Sequence, residues 1–348
     1  MKNTMNYFNR TTESEPSVQP EKEKVRMPDK AKELLKSLYL YRSYSGFEEP
    51  IRAGITHFLD SLQIPYVNFN GNIIGFNHPG APLFSAHMDM VNTEGYKLGP
   101  KEVALDDNHV FTMDSKACIR LYRDQEKKVQ TSLGADDKNG IWVILMLLKS
   151  KEKINFAFCH SEECGGTGSR QIAGDRELST FISDCKYCVV IDRRNKGDII
   201  GYKNKYCLAL DDRLSAFAKD KGFDFSPVTG SISDADRFSE FVECVNISCG
   251  YYEPHTSREY TNVNELWDTY LLCKEMLKSF DYHSVSAGRM KDFKGVTYSS
   301  TYKSTTKNED DDEIVSYYNS YNRDNYTGFC SKKKKSENDA IDNTRFGF

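Results

Sequence analysis

Five short motifs in this sequence carry side chains that bind divalent metal ions and move protons beside them. In chain order they are His87-Met88-Asp89, Gly134-Ala135-Asp136-Asp137-Lys138, Glu162-Glu163, Asp192 and His255. Together they offer two imidazoles and three carboxylates as ligands, with one further glutamate beside them. That inventory can hold a pair of hard-to-borderline divalent ions and activate a water between them. An Asp-Asp or Glu-Glu pair is common in any chain of 348 residues, so order and local context carry the argument.

Each motif has an ordinary structural reading when taken singly. His87 could be a buried histidine hydrogen-bonded to a loop. In His87-Met88-Asp89 the spacing would instead let Asp89 accept from the free ring N–H and fix the tautomer. Asp136-Asp137 could be an N-cap pair for the helix that follows. Glu162-Glu163 directly follows the apolar Phe156-Ala157-Phe158-Cys159 and precedes Gly165-Gly166-Thr167-Gly168, a costly place for idle charges. Asp192 could cap the strand Cys188-Val189-Val190-Ile191, and His255 says least by itself.

The elements that must position these residues alternate. Helical patterns run from Asp29 to Tyr41 and, after the capping-type start Ser45-Gly46-Phe47-Glu48-Glu49, on to Leu62. Tyr66 to Phe69 and Ile73 to Phe76 flank Asn70-Gly71-Asn72, a hairpin signal. Strands are expected at Pro82–Ala86, Ile154–Cys159, Tyr187–Ile191, Asp198–Tyr202, Tyr206–Leu210 and Val245–Cys249. Helices are expected at Gly140–Leu148, Ser169–Leu178, Asp234–Val242 and Val263–Phe280. The fold class is α/β, a three-layer αβα sandwich around a central mixed, mainly parallel sheet. His87, Glu162, Glu163 and Asp192 each follow an apolar strand, and His255 follows one after Gly250–Pro254. In open α/β sheets, sites form outside the carboxyl ends of strands, so the five motifs can converge.

Composition narrows the function. Net charge is −4 with a pI near 6.0, which supplies no electrostatic footprint for nucleic acid or an anionic membrane. Lys332 to Lys335 are offset by the acidic run Glu309 to Glu313. Mean hydropathy is −0.63, and the apolar deficit lies at the two ends. The expected organisation is a disordered polar tail over 1–27, a catalytic domain over 28–284 and a second polar tail over 285–348. The N-terminus lacks a signal-peptide core and no run is long enough to span a membrane. Ten scattered cysteines fit reduced thiols in a cytoplasmic protein. Cys185-Lys186-Tyr187-Cys188 reads as cysteines entering a buried strand.

The ordered set resembles the co-catalytic zinc exopeptidase superfamily, which includes peptidase T, the bacterial leucyl aminopeptidases and related carboxypeptidases and deacylases. Leu133 to Ile141 is particularly similar to peptidase T. Ser161-Glu162-Glu163 with Gly166-Thr167-Gly168-Ser169, Val189-Val190-Ile191-Asp192, Ser233-Asp234-Ala235-Asp236 and Gly250 to Tyr260, with Pro254-His255-Thr256 and Glu259, also match. The likeness spans about residues 30–283. It implies that Asp136 bridges two divalent ions, zinc first with cobalt or manganese as alternatives, and that its link to Asp137 is cis. His87 and Asp192 would complete one ion's set, Glu163 and His255 the other's. Glu162 would be the general base and Asp89 the orienting residue. The activity implied is a metal-dependent exopeptidase, an aminopeptidase acting on short peptides. An amide deacylase, a carboxypeptidase or a non-catalytic peptide-binding descendant is the alternative.

The sequence departs from those relatives in the insertions it lacks. Only about 60 residues separate Asp192 from His255, too few for the lid or dimerisation domain that peptidase T relatives carry there. About 50 residues separate His87 from Asp136, enough for a small β excursion over Val103–Arg123 but not for a barrel-like insertion. Arg193 and Arg194, next to Asp192, could pair with a substrate carboxylate or form an ordinary salt bridge.

Overall fold

A computed structural model of the chain describes residues 26–91, 103–105, 110–113, 132–256 and 258–295. The tails 1–25 and 296–348 lie outside the described residues. The chain begins with helices α1 (Asp29–Leu40) and α2 (Glu49–Ser61), then strands β1 (Val67–Phe69), β2 (Asn72–Gly75) and β3 (Leu83–His87). Two short strands, β4 (Val103–Leu105) and β5 (Val110–Met113), precede helix α3 (Ala135–Lys149) and strand β6 (Asn155–Cys159). Helices α4 (Thr167–Gly174) and α5 (Arg176–Ser183) lead to β7 (Cys188–Arg193) and β8 (Asp198–Ile200). Helix α6 (Leu210–Asp220), β9 (Ser226–Val228), α7 (Ala235–Phe238) and β10 (Cys244–Ser248) follow. The hairpin β11 (Tyr251–Tyr252) and β12 (Tyr260–Asn262) leads into α8 (Val263–Ser279) and α9 (Ala287–Lys294).

Eight strands form one sheet in the order β1-β2-β6-β3-β7-β10-β8-β9. Its centre, β6-β3-β7-β10, is parallel throughout, and β1, β2 and β8 add antiparallel pairings. The apolar runs of the central strands are explained by burial on both faces. Along them alternate residues enter different cores. Phe84, Ala86, Phe156, Phe158, Val189, Ile191, Val245 and Ile247 join one cluster with α1, α2, α3 and α8. Leu83, Ala157, Cys159, Cys188, Val190 and Cys244 join a second with Ile172 of α4, Ile182 of α5 and Phe238 of α7. Two cores divided by one sheet make the expected three layers. From Ile141 to Leu148 helix α3 is apolar on every face because nearly all of it is buried, and Trp142 ties it to α1 by donating to the Ala31 carbonyl at 2.9 Å.

Several expectations need correction. Tyr206–Leu210 is not a strand; its end opens helix α6, whose Leu210, Leu214 and Ala218 face the core. The apolar spacing of that helix begins only at Leu210, and aromatic and β-sheet-forming residues before it mimic a strand. The helix expected over Ser169–Leu178 is two helices, because Asp175 ends one and caps the next by accepting from Glu177 N and Leu178 N. Asp234–Val242 contains only the four-residue α7, because Val242 already enters the turn before β10. Helix α9 lies within the polar 285–348 segment, and Lys294 Nζ donates to the Asp236 carbonyl at 2.6 Å and to its carboxylate at 2.9 Å.

The β excursion before α3 is present as β4 and β5, which extend a second, four-stranded sheet in the order β11-β12-β5-β4; its remainder to Arg123 lies outside the described residues. Between Asp192 and His255 every strand of the chain joins one of these two sheets and no separate domain intervenes. Seven buried cysteines, Cys185 and Cys188 among them, are free, whereas Cys164 is disulfide-bonded, against the expectation of reduced thiols throughout. No helix among the described residues is long and apolar enough to cross a membrane.

Candidate metal centre

The carboxyl ends of the four parallel strands deliver four of the five motifs to one place, and the opening of α3 brings the fifth. β3 ends on His87, β6 ends two residues before Ser161, β7 carries Asp192 as its penultimate residue, and His255 sits in the β11–β12 loop that follows β10. Asp136 comes from the opening of α3, where Asp136 and Asp137 are non-helical and joined by a cis peptide bond.

Two triads of donor atoms result, each within 4.8 Å: His87, Asp136 and Asp192 in one, Asp136, Glu163 and His255 in the other. Asp136 belongs to both. Its Oδ1 lies 3.0 Å from His87 Nε2 and its Oδ2 3.2 Å from His255 Nε2. His87 Nε2 is 3.5 Å from Asp192 Oδ1, and His255 Nε2 is 2.7 Å from Glu163 Oε1. Glu162 groups with His87 and Glu163 within the same limit, so its carboxylate stands at the edge of both triads.

The positioning contacts are as informative as the donors. Asp89 does not hold His87 chiefly through its carboxylate: His87 Nδ1 donates to the Asp89 backbone carbonyl at 2.9 Å, while Oδ1 stands at 3.4 Å. The spacing that suggested a carboxylate–imidazole pair serves a backbone bond instead. The Asp89 carboxylate is turned toward the next loop, where it accepts from Glu162 N at 2.8 Å, Glu163 N at 3.1 Å and Ser45 Oγ at 2.7 Å. Asp137 accepts from His87 N at 3.1 Å and Gly140 N at 3.0 Å, tying β3 to the start of α3. A Cβ on Gly140 would stand 2.3 Å from the Ile191 carbonyl, so only glycine allows α3 this close to β7. Asp192 N donates to Asn246 Oδ1 at 3.0 Å, and Tyr251 OH reaches Asp192 Oδ1 at 3.4 Å.

Several of these partners are not evident from the sequence. Ser45 and Glu48 belong to a helix-capping pattern, yet Glu48 does not cap α2 with its side chain. Glu48 Oε1 accepts from Gly46 N at 3.0 Å and Ser161 N at 3.1 Å, which pins that turn to the Glu162-Glu163 loop. Asn246 left a signal, a polar residue inside the buried strand Val245-Asn246-Ile247. Glu259 is buried and accepts from Gly134 N at 2.6 Å and Asp136 N at 3.0 Å. Arg193 is taken up by Asp198, with Nε and Nη2 each 2.9 Å from Oδ2, so it forms the ordinary salt bridge. Arg194 is exposed.

The electrostatics describe a cluster short of positive charge. Burial raises Glu162 well above the usual carboxylate range, with Asp192 and Glu163 adding to it against His87. Burial likewise pushes Asp192 up to about 7. Burial opposes the charged form of His255, but Asp136 and Glu163 outweigh it and raise the imidazole to about 12. His87 is raised well above its ordinary value in the same way, burial being overcome by Asp192 and Asp136. Burial disfavours the Asp136 carboxylate too, yet His255 and His87 hold it well below the usual range. A donor set of carboxylates with one imidazole in each triad and one shared aspartate suits two borderline divalent ions. The residues present therefore fit a pair of such ions.

Comparison with known proteins gives the fold a place. No family model and no curated protein matches the sequence. Solved structures do match. The aminopeptidase PepT from Bacillus cereus superposes with a TM-score of 0.55 at 16% identity, covering 71% of this chain and 97% of its own. A tripeptidase from Staphylococcus aureus gives 0.55 at 14% identity, covering 72% and 98%. The TET1 peptidase of Pyrococcus horikoshii, which assembles into a tetrahedron or a large octahedral shell, gives 0.51 at 20% identity, covering 71% and 99%. With its mixed, mainly parallel sheet, its three layers and its acidic and histidine motifs at the strand ends, the chain shares the fold of these peptidases.

Proposed function

We propose that the protein is a metal-dependent exopeptidase, an aminopeptidase that hydrolyses short peptides. The observation that carries this reading is Asp136, whose two oxygens face two separate triads, each completed by one imidazole and one further carboxylate. His87, Asp136 and Asp192 would hold one divalent ion, and Asp136, Glu163 and His255 the other, zinc first with cobalt or manganese possible. Two ions bound there would acidify a shared water and polarise the scissile carbonyl.

The chain's own residues supply the rest. Glu162 is the general base: its carboxylate adjoins both triads, and its buried position keeps it a stronger base than an exposed glutamate. It accepts a proton from the attacking water and returns it to the leaving amine nitrogen. Asp89 holds the backbone of Glu162 and Glu163 so that base and ligand keep a fixed separation. The fold-level likeness to aminopeptidases and a tripeptidase supports peptides over other amides. Without an inserted lid, the chain between Asp192 and His255 leaves selection of the substrate to the loops around the site.

The test is a purified, zinc-replete protein assayed on aminoacyl, N-acyl and C-terminal amide peptides. Release of free N-terminal residues, lost in Glu162→Gln, is the expected result. Turnover confined to N-acyl or C-terminal substrates would replace the aminopeptidase reading, and full activity in Glu162→Gln would remove the assigned base.

A further inference from the structure

The β11–β12 loop does two things within five residues. It presents His255 to the second triad, and it sends Glu259 back under Asp136. Glu259 is 1% exposed, and its two oxygens are divided between two backbone donors, Gly134 N at 2.6 Å and Asp136 N at 3.0 Å. These donors lie 125 and 123 residues away in sequence. Charge-assisted bonds from buried backbone N–H groups to a carboxylate are short and strong. They sit on either side of Ala135, at the point where the chain leaves helical geometry to project Asp136.

We propose that Glu259 is a positioning residue of the metal centre, which locks the bridging aspartate and the His255 loop into one rigid unit. The proposal rests on the two-ion reading given above. It follows from how differently the two triads are anchored. His87 ends a central strand and is fixed at its ring by the Asp89 carbonyl. Asp192 lies in β7 and is fixed by Asn246 of the neighbouring strand β10. The first triad therefore has two members on the sheet itself. In the second, Glu163 sits on a loop held by Asp89, and His255 sits on a loop with left-handed backbone geometry (φ 61°) and a side chain 24% exposed. Besides the His255 ring, 3.2 Å from Asp136 Oδ2, the His255 loop is tied to the Asp136 backbone through Glu259, so the second triad depends on that carboxylate more than the first does.

Loss of Glu259 then has an asymmetric effect. Partners that orient metal ligands from behind typically change affinity by about 10–100-fold when removed. Here that loss falls on the second ion. The first ion, held by His87, Asp192 and an Asp136 still tethered through Asp137 and α3, loses less than the second.

The experiment compares the wild-type chain, Glu259→Gln, Glu259→Ala and His255→Ala, each stripped with a chelator and titrated with zinc against a chromophoric competitor. Circular dichroism and thermal melts of the metal-free proteins run in parallel. His255→Ala identifies which binding event belongs to the second triad. The expected result is two ions in the wild type, and in Glu259→Gln the same event weakened about 10–100-fold with the other retained. Glu259→Gln keeps the size of the side chain and one acceptor, so it reads the site even if Glu259→Ala fails to fold. Equal weakening of both events in step with a lower melting temperature would make Glu259 merely structural and overturn the proposal. Unchanged binding in Glu259→Gln would overturn it as well. Fewer than two ions in the wild type would instead remove the two-ion reading on which it stands.

Discussion

Replacing Asp89 by Asn tests how the base is held. The native carboxylate is 1% exposed and receives Glu162 N on Oδ1, and Glu163 N with Ser45 Oγ on Oδ2. Although burial pushes against ionisation, His87, Ser45 and the Glu162 N–H keep Asp89 below its ordinary pKa, so these are bonds to a charge. Asparagine can satisfy only one side. Its amide nitrogen, a donor, must then face either Glu162 N or the Ser45–Glu163 pair. One charge-assisted bond worth about 1.5–3 kcal/mol disappears and the remaining ones drop to neutral strength, for a total of about 2–4 kcal/mol. If that energy serves to place the Glu162-Glu163 loop, kcat falls by about 30- to 1000-fold. The assay is steady-state peptide hydrolysis by Asp89→Asn, with metal content and melting temperature measured on the same samples. A folded Asp89→Asn protein that keeps two ions and a kcat within about threefold of wild type would refute the argument.

Other outcomes follow from single contacts. In Gly140→Ala the new methyl would meet the Ile191 carbonyl at 2.3 Å and Asp137 Oδ1 at 2.6 Å. Overpacking of that kind lowers stability by about 1–3 kcal/mol or more, and an unchanged melting temperature would contradict the packing described. Arg193→Ala should lose about 1 kcal/mol from its partly buried pair with Asp198 and leave KM unaltered across peptides; a KM change confined to acidic peptides would assign it to substrate instead. The metal-free protein should become less stable as pH rises from 5 to 8. Between the ordinary carboxylate value of 3.8 and about 7, folded Asp192 keeps a proton that the unfolded chain has released. His255, raised from 6.5 to about 12, adds stability below its unfolded value that is lost as pH rises. Melts in chelator that rise over this range would oppose both assignments.

Much of this arrangement was legible before any coordinates. His87, Glu162, Glu163 and Asp192 each stand after an apolar run, and such runs buried on both faces form the central strands, so their ends share one edge. What stayed hidden has physical reasons. Tyr206–Leu210 resembles a strand because local propensity cannot see that Leu210, Leu214 and Ala218 share a helical face. Ser45 and Glu48 satisfied a local capping pattern, which masked contacts made over 44 and 113 residues. The spacing of Asp89 from His87 does not distinguish a carbonyl from a carboxylate acceptor, and the nearer of the two is the carbonyl, at 2.9 Å against 3.4 Å. Glu259 was visible only as part of a motif; its partners lie across the molecule.

The central claim is that Asp136 stands between two metal ions. Anomalous diffraction from zinc-loaded crystals measures this directly. Two peaks about 3.5–4 Å apart, one beside His87 and Asp192 and the other beside Glu163 and His255, with the Asp136 carboxylate between them, is the predicted result. A single peak, or zinc bound away from Asp136, would contradict it.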